Sequence, residues 1–183
     1  MLKTLFNRMI SDAEKKTGEN ADWMRDILRV STKSFLFFGL FTPLSTQRQS
    51  LPLAMHHLAR LAAVSEADCG PCFQTVVNYA VHDGVEDRVI RAAIEDDVSK
   101  LTDLEATVYR FASAIAHKAP DDDDARTVIL REWGEQGLID LAYAVAGTRV
   151  FPTVKRAMGY GAACHVLEVR GKRVAPHQSL EAA

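Results

Sequence analysis

The sequence predicts an all-α fold, a single domain of about eight helices, on three observations. Apolar residues recur at helical spacing along almost the whole chain, and no stretch of convincing length alternates with the period of a half-buried strand. No internal repeat or low-complexity linker divides the 183 residues. That length suits one domain with a sizeable core. The predicted organisation is N-terminal helices over residues 1–50, a motif-bearing core over 51–170 and a polar, frayed tail over 171–183.

Leu2, Leu5, Phe6, Met9, Ile10 and Ala13 form the stripe of a first helix, and after the Gly18-Glu-Asn20 break Trp23, Ile27, Leu28 and Val30 form that of a second. A third is predicted over Ser34 to Phe41, stopping near Pro43, and a fourth carries Pro52 in its first turn and runs to about Val64. In Asp68-Cys-Gly-Pro-Cys72 the aspartate can cap a helix that continues through Val76, Val77, Tyr79 and Ala80 to Gly84, so the cysteine pair falls in a first turn. Val85 to Ile94 reads as a short helix with an acidic exit at Glu95-Asp-Asp97. Thr102-Asp-Leu-Glu105 has the capping-box form, and Leu104, Val108, Phe111 and Ile115 follow at helical intervals. After Pro120, Asp121 to Asp124 read as the solvated, capping start of a helix, with a divalent-cation site as the alternative. Helix resumes through Val128, Ile129 and Trp133, breaks at Gly134 and Gly137, and returns from Leu138 towards Met158 with a kink at Pro152.

Lys plus Arg number 22 and Asp plus Glu 24, a formal charge of −2, so there is no basic excess to neutralise phosphates and nucleic acid is excluded as a partner. The apolar run Phe35 to Phe41 is far shorter than the roughly 20 residues of a membrane span, so no membrane partner is expected. The N-terminus has one early lysine and then Asp12 and Glu14, which fits neither a secretory leader nor a transit peptide and predicts a cytoplasmic address. Three cysteines, Cys69, Cys72 and Cys164, are too few and too unevenly placed for a secreted disulfide framework.

Cys69-Gly-Pro-Cys72 is the most informative motif. The thiolate is the reactive form of cysteine, and a helix N-terminus favours it through unpaired N–H groups and the dipole. Residues three apart on a helix have Cβ atoms about 5–6 Å apart, close enough that a small adjustment of a first turn allows a reversible disulfide. Two buried apolar cysteines are one alternative. A zinc site is another, needing His57 with Cys164 or His165 to converge from distant helices. A thioredoxin-like reading would require a strand before the motif, and a helical stripe precedes it instead.

The stretch from His56 to Ile94, HHLARLAAVSEADCGPCFQTVVNYAVHDGVEDRVIRAAI, resembles the core of the carboxymuconolactone decarboxylase and alkyl hydroperoxidase D (AhpD-like) superfamily, and GLIDLAYAVAGTRVFPTVKRAMG resembles its closing long helix. The resemblance implies an AhpD-like helical bundle that assembles as a homo-oligomer: a dimer, trimer or hexamer. In the peroxidase branch of that superfamily the motif is Glu, eleven residues, Cys-x-x-Cys, three residues, His. There the resemblance implies that Cys72 attacks peroxide and Cys69 resolves the product as a disulfide. The family's Glu position is His57 here and its His position is Val76, so the proton relay is not carried over. His57, an imidazole one helix upstream, is the candidate replacement base, and His56 is its competitor, pointing about 100° away on an ideal helix.

Tyr79, seven residues after Cys72 and on the same helix face, is a candidate hydrogen-bond donor to substrate, with aromatic packing as the alternative. Glu66 and Asp68 flank the pair as capping or surface groups, and Cys164-His165 beside Gly159-Tyr-Gly161 suggests packing or an oligomer contact. Phe35, Phe37, Phe38 and Phe41 cannot share one helix face, so some are expected to meet a partner subunit or line an apolar cavity. The expected activity is reduction of a hydroperoxide, organic rather than hydrogen peroxide, by Cys72 and Cys69, with an external dithiol as reductant and with no metal or organic cofactor. Two other classes stay open. One is an oligomeric binding protein with the disulfide as a redox switch. The other is a cofactor-independent decarboxylase of a lactone acid, with Arg60 or Arg149 as anion anchor.

Overall fold

A computed structural model describes residues 2–67, 69–120, 122–162 and 166–176. Among these the fold is all-α with one small hairpin: α1 (Leu2–Thr17), α2 (Asp22–Val30), α3 (Thr32–Gly39), α4 (Phe41–Thr46), α5 (Leu53–Ser65), α6 (Gly70–His82), α7 (Asp87–Glu95), α8 (Asp103–His117), α9 (Asp123–Ala157), β1 (Leu167–Val169) and β2 (Lys172–Val174).

Helix α5 is the axis of the molecule. Leu58, Ala59, Leu61, Ala62 and Ala63 are all fully buried, covering every side of the helix, because α6, α7, α8 and α9 pack around it. The main core gathers these residues with Cys69, Cys72, Val77, Ile90, Val108, Ile129 and Leu141. A second, smaller cluster of Phe6, Ile10, Ala21 and Leu28, with Met24 and Phe35 against it, holds α1, α2 and α3 together.

Helix ends follow local chemistry. Thr102 and Glu105 form the reciprocal capping box at α8, and Glu105 also receives both guanidinium nitrogens of Arg88. Asp122 caps α9 by accepting from Ala125 N–H at 2.9 Å. Asp121 and Asp68 lie outside the described residues, so the predicted Asp68 cap does too; Cys69 occupies the N-cap position of α6 and makes no side-chain cap bond.

Three expectations need correction. The helix placed over Ser34 to Phe41 is two helices, and Pro43 opens the second instead of stopping the first, since a proline in a first turn removes an N–H that has no intrahelical acceptor. Gly137 does not break α9: it is buried inside the helix, and the departure from helical geometry is at Gly134, with φ 66° and ψ −171°. Pro152 lies inside α9, and the dihedrals stay helical there. The tail beyond Gly171 is not simply frayed, because Lys172–Val174 pairs antiparallel with Leu167–Val169 and buries Val174. Arg170 and Gly171, both with positive φ, supply its tight turn. Three-residue strands are shorter than the window in which a period of two can be recognised.

Candidate functional site

A cavity of about 320 Å³ lies between the two hydrophobic clusters, walled by α1, α2, α4, α5, α6 and α9. Helices α5, α6 and α9 each present one face to it. On α6 that face is Cys72, Thr75, Val76 and Tyr79, on α5 it is Arg60 and Val64, and on α9 it is Thr148, Phe151, Pro152 and Lys155. Trp23 and Met24 of α2 close the side contributed by the smaller cluster.

Cys69 and Cys72 stand at disulfide distance, with Cα atoms 5.3 Å apart. Cys69 is 1 % exposed and faces the core, whereas Cys72 lines the cavity. The last turn of α9 and the chain that follows it brace this end of α6: Arg156 donates to Ala67 O at 3.1 Å and Gly70 N–H donates to Ala162 O at 3.0 Å. Farther along, Gln74 both donates to Glu168 O and accepts from Glu168 N–H, each at 2.8 Å, which seats β1 on α6.

The other candidates separate along the helices. Tyr79 shares the cavity with Cys72, and the Arg60 guanidinium stands 5.5 Å from its ring centroid. His57 does not reach the sulfurs: its Nε2 hydrogen-bonds Asp83 at 2.8 Å, just past the C-terminal end of α6. Asp83 follows Cys72 by eleven residues, roughly 16 Å at 1.5 Å per residue. The helices run antiparallel here, with His57 at Asp83 and Arg60 at Tyr79, and this register carries Val64, not His57, towards Cys72. His56 is 2 % exposed, neither of its ring nitrogens has a hydrogen-bond partner among the described residues, and its ring meets that of His57 edge to face at 5.7 Å. Burial, reinforced by the Arg60 charge, holds His56 down to about 3 and His57 to about 4, in the latter case against the opposing effect of its hydrogen bond to Asp83. Both imidazoles are therefore neutral at pH 7.

Glu66 pairs with His117 at 2.6 Å, and Arg149 donates to Ala116 O, so neither faces the cavity. Phe35 packs on Phe6, Phe38 sits between Trp23, Phe41 and Phe151, and Phe37 is 61 % exposed. Cys164 and His165 lie outside the described residues.

Sequence reasoning missed Lys155 and Thr148. Both are buried, Lys155 over the Trp23 ring at 5.9 Å and Thr148 accepting from Arg60 Nε at 3.3 Å. Their signal was present: polar residues at positions 148 and 155, seven apart and so on one face, bracket the apolar Phe151-Pro152 of that face. The arrangement places a sulfur pair at a helix N-terminus beside a cavity with buried cations and apolar walls. No family model matches the chain, and neither the curated proteins nor the solved structures contain a significant match.

Proposed function

We propose that the chain is a dithiol oxidoreductase that reduces organic hydroperoxides. The observation that carries this reading is that Cys72 lines a cavity at the first turn of α6 with Cys69 at disulfide distance behind it. The helix N-terminus and the cationic side chains of Arg60 and Lys155 on the same cavity favour a thiolate over a thiol.

In the proposed reaction the Cys72 thiolate attacks the terminal peroxide oxygen. The S–O bond forms, the O–O bond breaks, and the departing alkoxide takes up a proton as the alcohol. The Cys69 thiolate then attacks Sγ of the resulting sulfenic acid, closing the disulfide with loss of hydroxide, which takes up a proton as water. An external dithiol restores both thiols. Regeneration by a dithiol suits a reducing compartment, and on this ground we assign the protein to the cytoplasm. Among the described residues no helix is long and apolar enough to cross a membrane.

His57 has no part in this scheme, because its hydrogen bond is committed to Asp83. The assembly we propose is a homo-oligomer. Its support is the outer face of α3 and α4, where Phe37, Leu40 and Phe41 line an apolar groove and Phe37 and Leu40 are more than half exposed.

The test mixes pre-reduced protein with cumene hydroperoxide and follows free thiols and peroxide together. Two thiols lost per peroxide consumed, with Cys72→Ser inactive and Cys69→Ser trapped at a dimedone-reactive sulfenic acid, is the expected result. Thiols that stay reduced while peroxide persists would overturn the reading.

A further inference from the structure

Two positive charges lie buried on the wall of the cysteine cavity without a carboxylate in contact among the described residues. Arg60 and Lys155 are each 6 % exposed. Charged side chains are almost never buried to this degree without a counter-charge, because transfer out of water is costly unless a partner restores the lost interactions. Arg60 spends its Nε on Thr148, and its two terminal nitrogens make no hydrogen bond among the described residues. The Lys155 ammonium makes no hydrogen bond or ion pair among the described residues and has only the Trp23 ring below it.

The acids nearby are engaged or absent from contact. Glu14, also on the cavity wall, is held by both guanidinium nitrogens of Arg25 at 2.5 Å. Asp83 receives His57 and His82 at 2.8 and 2.9 Å. Glu19 lines the cavity and acts on Lys155 through space, without forming an ion pair with it. A third cation, Lys16, lies over the other cavity residue Tyr79 at 5.2 Å.

We propose that this cavity binds a small organic carboxylate, its charged end held between Arg60 and Lys155 and its apolar body against Trp23, Val76, Phe151 and Pro152. The two free nitrogens of a guanidinium match the two oxygens of a carboxylate, and the apolar remainder of the wall excludes a ligand that is polar throughout. A volume of about 320 Å³ stands at the low end of ligand pockets and suits a body of medium-chain or single-ring size. As a statement about substrate, the inference rests on the peroxidase reading: the hydroperoxide that Cys72 reduces carries a carboxylate.

Calorimetry on the full chain, with octanoate, octanol and inorganic phosphate as probes and no peroxide present, tests the site apart from turnover. Octanoate is expected to bind at least tenfold more tightly than octanol, with phosphate weaker than octanoate. Arg60→Gln and Lys155→Gln should each weaken octanoate at least fivefold while leaving octanol unchanged. Equal binding of octanoate and octanol by the wild-type chain overturns the site whatever the variants do, as does phosphate binding more tightly than octanoate. On the peroxidase reading, a hydroperoxide with a terminal carboxylate should then oxidise the thiols at least tenfold faster than its methyl ester at equal low concentration. Equal rates would sink the substrate inference and leave the peroxidase reading standing, whereas octanoate binding with inert thiols would sink the peroxidase reading, and the substrate inference with it, and leave the carboxylate site standing.

Discussion

His56 and His57 sit side by side on α5 and differ in what the fold offers them. His57 has Asp83, while His56 has no hydrogen-bonding partner among the described residues, and both are held neutral by burial, then by the charge of Arg60. Their ordinary value of 6.5 in the unfolded chain falls to about 4 for His57 and about 3 for His56 on folding. The unfolded chain therefore binds protons below pH 6.5 that the folded chain refuses, and stability is full above that pH and lost as the pH falls towards 4. With two such groups the slope is roughly 2–3 kcal/mol per pH unit through that window. Urea unfolding at pH 7, 6 and 5 should show it, and His56→Leu should roughly halve the slope while leaving stability at pH 7 equal or higher. An identical slope in the variant would mean that His56 does not titrate on unfolding. The sequence singled out both histidines from their place before the cysteines, and the antiparallel register of α5 on α6 decided that His57 meets Asp83, about three helix turns from Cys72.

Among the α-helices, α4 is the shortest, at six residues. It packs along α9, where Gly147 lies under Ser45 so closely that an added Cβ would stand 2.6 Å from the Ser45 Cα. Asp140, fully buried two turns earlier on the same face of α9, accepts from the N–H groups of Gln49, Ser50 and Leu51 at 2.7, 2.7 and 3.0 Å and anchors the turn that joins α4 to α5. Although burial opposes it, the summed hydrogen bonds hold that carboxylate down to about 2, so it stays ionised in its buried place. Gly147→Ala should push α4 outward and destabilise the protein by about 1–3 kcal/mol, seen as a drop of several degrees in Tm. Because Thr42, Ser45 and Thr46 wall the cavity, octanoate binding should weaken in the same variant. A Tm and an affinity equal to wild type would show that α4 is not seated by this contact. The long helices were legible from their stripes and from the Thr102 capping box, but α4 and the two strands are too short for any period to register.

At the scale of the whole molecule, the outer face of α3 and α4 presents Leu36 at 49 %, Phe37 at 61 % and Leu40 at 63 % exposure, while Phe38 of the same helix points inward to Trp23 and Phe151. Light scattering of the wild-type chain should give a homo-oligomer, and Phe37→Asp with Leu40→Asp should yield a monomer with unchanged helical content by circular dichroism. A monomeric wild type would remove the assembly from the reading. The cavity behind that face is closed by elements from both ends of the chain, α1 and α2 on one side and the last turns of α9 on the other.

What the sequence determined by itself was local: which stretches are helical, where most of them start, and that two cysteines share a first turn. Those facts depend on residues within a turn or two of one another, so spacing and capping chemistry suffice to read them. Which cysteine opens on a cavity, which histidine is drawn away by Asp83, and that Arg60, Thr148 and Lys155 come together from two helices were settled only by the antiparallel packing of α5 on α6 and by the packing of α5 on α9. Side chains nearly ninety positions apart meet through the rotation and offset of packed helices, and no interval in the linear chain encodes either.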